Sequence, residues 1–161
     1  MNNRTAFLVA ALLAPAISAH AAATSLTVQS RSLDSELASR AVVAAVADCV
    51  NRGYKVSAAV TGRDGNLLAF LRNPLSGPHT VLVSQRKAFT SATLQAATAQ
   101  MQSRPDLSFA PGILLIQGGV PISVGGHFYG GIAVAGADPK DDEKCAEAGL
   151  AAISEALEFS E

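Results

Sequence analysis

The chain has 161 residues, 49% of them hydrophobic but only 5% aromatic with no tryptophan, and 12 Lys and Arg stand against 13 Asp and Glu. A net charge of −1 provides no basic footprint for nucleic acid and no cationic stripe for an anionic membrane surface. The length suits one domain, and no repeat, linker or low-complexity stretch divides it.

Residues 1–23 read as a cleaved secretion signal. Arg4 supplies the positive start, Ala6 to Ile17 a short apolar run, and the small residues around Ala19, Ala21 and Ala23 offer cleavage after Ala21 or after Ala23. The apolar run is too short to span a bilayer, so a single domain over 24–161 is expected to be exported, periplasmic or secreted. His20 leaves with the leader.

Leu33 to Arg52 predicts a helix, with Leu33, Leu37, Ala41, Ala45 and Cys49 spaced four apart and Gly53 closing it. Lys55 to Thr61 alternates, with Val56, Ala58 and Val60 on one face and Lys55, Ser57 and Thr61 on the other. Arg63-Asp64-Gly65-Asn66 predicts a hairpin turn. Leu67 to Leu71, apolar on both faces, reads as a strand covered on both sides. After the loop 73–78, a second helix is expected from His79-Thr80 to about Gln100, with Thr80 as its N-cap. Three strands are expected over 113–117, 120–124 and 128–134. Asp138 and Pro139 open a last helix as N-cap and first residue. Adjacent strands without βαβ alternation argue for an α+β fold on an antiparallel sheet.

Most catalytic signatures are absent. No G-x-S-x-G elbow is present, so Ser84 and Ser91 read as helix surface, and no phosphate-binding glycine loop opens a helix. The Asp141-Asp142-Glu143 run reads as charges complementing a helix start. Cys49 and Cys145 read most simply as one disulfide in an oxidising compartment, with two buried thiols as the alternative. His79 stands where an imidazole meets free helix-start N–H groups and reads either as a ligand contact or as a plain loop histidine. His127 reads as a solvated hairpin tip. Lys87, two turns past His79, reads as a surface lysine, or as a countercharge for a carboxylate.

Three blocks resemble the GlcG/HbpS haem-binding family, which is also similar to the C-terminal domain of cobalamin-linked PduO-type proteins. The first is Gly53-Tyr54-Lys55-Val56-Ser57-Ala58-Ala59-Val60 with Arg63-Asp64-Gly65-Asn66-Leu67. The second is Gly77-Pro78-His79-Thr80 leading into Arg86-Lys87-Ala88-Phe89-Thr90-Ser91-Ala92. The third joins Gly118-Gly119-Val120-Pro121-Ile122, Gly130-Gly131-Ile132-Ala133-Val134 and Asp142-Glu143-Lys144-Cys145-Ala146. The resemblance implies a profilin-like three-layer fold. Its five-stranded antiparallel sheet would carry the first and last helices on one face and the middle helix on the other. That arrangement sets Cys49 beside Cys145 for a disulfide. The resemblance also implies homo-oligomers, octamers among them, and haem in some members. His or Thr near the start of the middle helix would hold the iron, which maps to His79 as the metal ligand and Thr80 beside it, with Lys87 as a secondary cofactor contact. No C-x-x-C-H motif is present, so haem would be non-covalent.

The leading reading is therefore an exported non-enzymatic binder of haem or another tetrapyrrole, for storage, sequestration or sensing. An accessory binder of a small carboxylate-type metabolite without haem is the alternative from another class. A cofactor-dependent enzyme, such as an isomerase or a haem-degrading oxygenase, is the third, and these residues assemble no acid–base pair for it.

Overall fold

The carboxylate of Asp34 accepts the N–H of Leu37 at 2.8 Å, which starts the first helix, α1 (Ser35–Asn51). The computed structural model describes residues 26–160, and the expected leader, 1–23, lies outside them. After α1 come β1 (Ser57–Gly62), β2 (Leu67–Arg72), α2 (His79–Leu94), β3 (Gly119–Val124), β4 (His127–Ala135) and α3 (Pro139–Glu158), with two short 3-10 turns at Thr98–Met101 and Pro105–Phe109. Among the described residues no helix is long and apolar enough to cross a membrane.

The sheet is antiparallel throughout, in the order β2-β1-β4-β3. It has four strands where five were expected. The segment over 113–117 forms no strand because α2 side chains take its backbone groups. Leu114 N–H donates to Thr90 Oγ1 at 2.8 Å, and Arg86 Nη2 donates to the Ile113 carbonyl at 3.0 Å. Once these groups are satisfied, the segment gains little from pairing with a strand.

One face of the sheet packs against α1 and α3. Ala58, Val60, Ile122, Ile132 and Val134 share a core there with Ala41, Ala45 and Ala146. The other face packs against α2 through Ala59, Ala133 and Ala88. β1 is therefore buried at all six positions, including the Ser57 and Thr61 face that alternation placed opposite the apolar one. β2, expected to be covered on both sides, is instead an edge strand, and none of its residues is fully buried.

Small residues set both helix layers. A Cβ added at Gly149 would stand 2.7 Å from the Ala41 carbonyl, so α3 lies directly on α1. One added at Gly131 would stand 2.5 Å from the Ala88 carbonyl and 2.8 Å from Ala92 N, so α2 lies directly on β4. Both obstructions are backbone and cannot swing aside. Gly131→Ala is accordingly expected to cost about 1–3 kcal/mol, read as a lower urea midpoint with an unchanged slope. An unchanged midpoint would mean that α2 is not seated this closely.

The expected boundaries of α2 also shift. The helix stops at Leu94 because Gln95 adopts a left-handed conformation, φ 52°, and Ser91 Oγ bonds the Ala96 carbonyl at 2.9 Å beyond it. Its N-cap is Pro78 with no side-chain cap, not Thr80. At the start of α3, Asp138 and Pro139 hold the N-cap and first positions as expected, although the Asp138 side chain makes no capping bond.

Candidate functional site

The buried stripe of α2 is Thr80, Ser84, Lys87, Ala88 and Ser91, which recur at helical spacing. Ser84 and Ser91 are thus sheet-facing, correcting their reading as helix surface. The physical reason is local satisfaction. Ser84 Oγ donates to the Val81 carbonyl at 3.1 Å and Thr90 Oγ1 to the Arg86 carbonyl at 2.7 Å, so these hydroxyls enter the interior already bonded. With small polar residues turned inward, Leu82 turns out and is 60% exposed, while Phe89 stays half-buried. The buried face of the helix is thus made of small and hydroxyl side chains, with Leu82 left on the outside.

That arrangement makes a groove. Leu82, Arg86 and Phe89 of α2 face Gly65 and Leu67 of the first hairpin and Gly112 of the following loop, around a largely apolar opening of about 230 Å³. Phe89 forms its floor. A Cβ at Gly65 would stand 2.8 Å from the Phe89 ring and one at Gly112 would stand 3.0 Å from it, so both glycines leave the ring room. Both also hold positive φ, +79° and +86°. Arg86 is pinned at the rim by Nε to the Gly112 carbonyl, 3.4 Å, and Nη2 to the Ile113 carbonyl, 3.0 Å.

His79 stands one turn before Leu82 on the same helix face and is exposed. Its imidazole folds back over Gly77, where a Cβ would stand 2.7 Å from Cε1 and 2.9 Å from Nδ1. The loop before it is tied down. Ser76 N–H bonds the Asn73 carbonyl at 2.9 Å and Arg72 Nη2 donates to the Ser76 carbonyl at 2.6 Å. Thr80, beside His79, is buried. Its hydroxyl donates to the Gly77 carbonyl at 2.7 Å and lies 2.7 Å from Ser57 Oγ. Thr80 fixes where His79 stands and presents no free oxygen to a ligand.

Lys87 is corrected from a surface lysine to a buried one, 1% exposed. Its Nζ donates to Asp142 Oδ2 at 2.8 Å and to the Val134 carbonyl at 3.0 Å. Asp142, read as helix-start charge, is that partner, and its Oδ1 accepts the Ala137 N–H at 2.9 Å. Burial pushes the Lys87 ammonium below the usual lysine range and the Asp142 carboxyl above the usual carboxylate range, against the pull of each on the other. A Cβ at Gly118, φ +124°, would stand 2.8 Å from both Asp142 Cβ and Lys87 Nζ, so that glycine closes the pair in. Engaged there, Lys87 does not line the groove, and Arg86 is the cation that does. The sequence carried a signal for Arg86 in its spacing, since His79, Leu82, Arg86 and Phe89 fall on one face.

His127, at the start of β4, lies away from the groove, edge-on to Tyr129 with ring centroids 6.5 Å apart. Among the described residues no three His, Cys, Asp or Glu side chains gather where they could hold a metal ion. Cys49 and Cys145, both fully buried, are joined in a disulfide between α1 and α3.

A model of the family described as haem degrading protein HbpS-like matches residues 33–151. Protein GlcG of Escherichia coli is 31% identical over 107 residues, which cover 63% of this chain and 80% of that protein. The crystal structure of a double mutant of HbpS from Streptomyces reticuli is 38% identical with a TM-score of 0.75, covering 85% of this chain and 97% of the other. The crystal structure of a PduOC:heme complex, 18% identical with a TM-score of 0.70 over 76% of this chain and 96% of the other, shares the fold.

Proposed function

The chain belongs to the HbpS-like family, and on that premise we propose that it is an exported haem-binding protein that stores, sequesters or senses haem, with His79 as the iron ligand. The observation that carries this reading is the way α2 faces. It leaves Leu82 exposed above half-buried Phe89 in an apolar groove one turn from an exposed imidazole, with a cation at the rim. The donor set fits the group. Neutral imidazole is a common ligand of haem iron. The Arg86 guanidinium suits a propionate, and an apolar wall suits the macrocycle face. Bound haem would supply the iron. The chain supplies the imidazole, the countercharge and the exclusion of water from one side. The sequence of residues 1–23, which reads as a secretion leader, and a disulfide of the kind kept in oxidising compartments both support this reading of export.

Titrating the purified mature protein with hemin tests the assignment. A Soret band is expected in the wild type. His79→Ala is expected to shift or abolish it and to weaken binding by about tenfold or more, whereas His127→Ala leaves it nearly unchanged. If both variants titrate like the wild type, His79 is not the ligand.

Haem breakdown is a second reading, favoured by the family's description as haem degrading. A Soret band that decays under reductant and air faster than that of free hemin supports it, and a stable band supports holding alone. The half-open groove also favours assembly into a homo-oligomer, because Leu67 and Leu82 are left 48% and 60% exposed. Light scattering is expected to give a mass above that of one chain at micromolar concentration, and a single-chain mass refutes it.

A further inference from the structure

Across the first hairpin from the groove, three cavities of about 350, 290 and 320 Å³ share Arg31 as a common wall. None has a lining residue in common with the groove. Arg63 and His127 join Arg31 in the first cavity, and Tyr129 joins it in the third. Among the described residues neither arginine is paired with a carboxylate. The Arg63 guanidinium sits 5.7 Å from the centre of the Phe128 ring, which holds it in place without neutralising it. Arg31 gives one N–H, from Nη1, to the Ser160 carbonyl at 3.0 Å, which leaves donors of its fork free.

The acidic neighbours are already occupied. Asp34 caps Leu37, and Asp64 accepts from the backbone N–H of Asn66 at 3.0 Å and from its Nδ2 at 2.7 Å. These bonds hold the Asp64 carboxyl below the usual carboxylate range. Tyr129 supplies an independent observation. It is 3% exposed, and its hydroxyl is buried with no hydrogen-bond partner among the described residues. Buried hydroxyls are normally satisfied, and an orphaned one marks the place of a missing partner.

We propose that this region binds a small oxyanion, a carboxylate or a phosphate group. Arg31 and Arg63 grip the anion, and the Tyr129 hydroxyl anchors a second polar group of the same molecule. Two guanidiniums unpaired with any carboxylate among the described residues fit the planar, bidentate demand of such groups. The site stands apart from the proposed haem groove and holds whether or not haem binds.

The test follows the ring signals of His127 by NMR in the mature protein during separate titrations with inorganic phosphate and with succinate. A saturating shift in either titration is expected, and the anion that saturates identifies the source. Arg63→Gln is expected to weaken it by about tenfold. Tyr129→Phe removes an unsatisfied group without opening the core, so that variant keeps its stability while binding of the preferred anion weakens. Shifts that stay linear to tens of millimolar for both anions, or that saturate equally in Arg63→Gln, overturn the site. Undiminished binding in Tyr129→Phe overturns the second anchor. A hemin titration unchanged by Arg63→Gln separates this site from the groove.

Discussion

Replacing Cys49 and Cys145 by serine is expected to lower stability by about 2–5 kcal/mol. The bond closes a loop with a sequence separation of 96. In the chain-entropy account a loop of that length restricts the unfolded chain by nearly the largest amount a single disulfide achieves. The native state adds its own share. Both cysteines are fully buried between α1 and α3, where Gly149 and Ala41 let the helices touch backbone to backbone. Serine would leave two hydroxyls in an apolar core. Urea unfolding with and without reductant measures the loss, and mass spectrometry after non-reducing alkylation counts the thiols. Two free thiols in native protein, or superimposable unfolding curves, would rule the bond out.

Breaking the Lys87–Asp142 pair should cost as much again, about 3–5 kcal/mol for either single change. The side chains are 2% and 3% exposed and meet at 2.8 Å, so Lys87→Met strands a carboxylate and Asp142→Asn strands an ammonium. Removing one partner leaves the other's desolvation uncompensated, whereas removing both does not. Lys87→Met combined with Asp142→Asn should therefore cost less than the sum of the two single changes, and a double-mutant cycle reads that coupling. Burial already holds Lys87 below its usual range, and losing Asp142 takes away the opposing attraction. Between the depressed folded value and the ordinary lysine value, the unfolded chain of Asp142→Asn binds a proton that the folded chain does not. Its stability must therefore rise with pH across that window. Additive single effects would show that the pair is not coupled, and a flat profile across that window would show that burial does not depress Lys87.

The local chemistry of the sequence determined a good deal. Four-residue spacing and an Asp N-cap delimit α1. Asp64-Gly65 turns the β1–β2 hairpin, and Gly125-Gly126 turns β3 into β4. Asp138-Pro139 starts α3. These signals act within a few residues and need no distant partner, so they survive any packing. The quoted blocks carried the family in the same way, and with it the pairing of two cysteines far apart in the chain.

What only the tertiary structure decided is which way α2 faces. Ser84 and Ser91 read as helix surface, yet Gly131 admits the helix so close to the sheet that only small side chains fit beneath it. Thr80, Ser84, Ala88 and Ser91 fill that layer with their hydroxyls already bonded. Leu82 is pushed outward and half-buried Phe89 floors the groove, while Lys87, long enough to reach past the end of the sheet, goes inward to Asp142. The same helix takes up the backbone of the 113–117 segment and leaves the sheet with four strands. Burial depends on the shape of what lies opposite, and an apolar pattern read along one helix carries no information about the glycine that faces it.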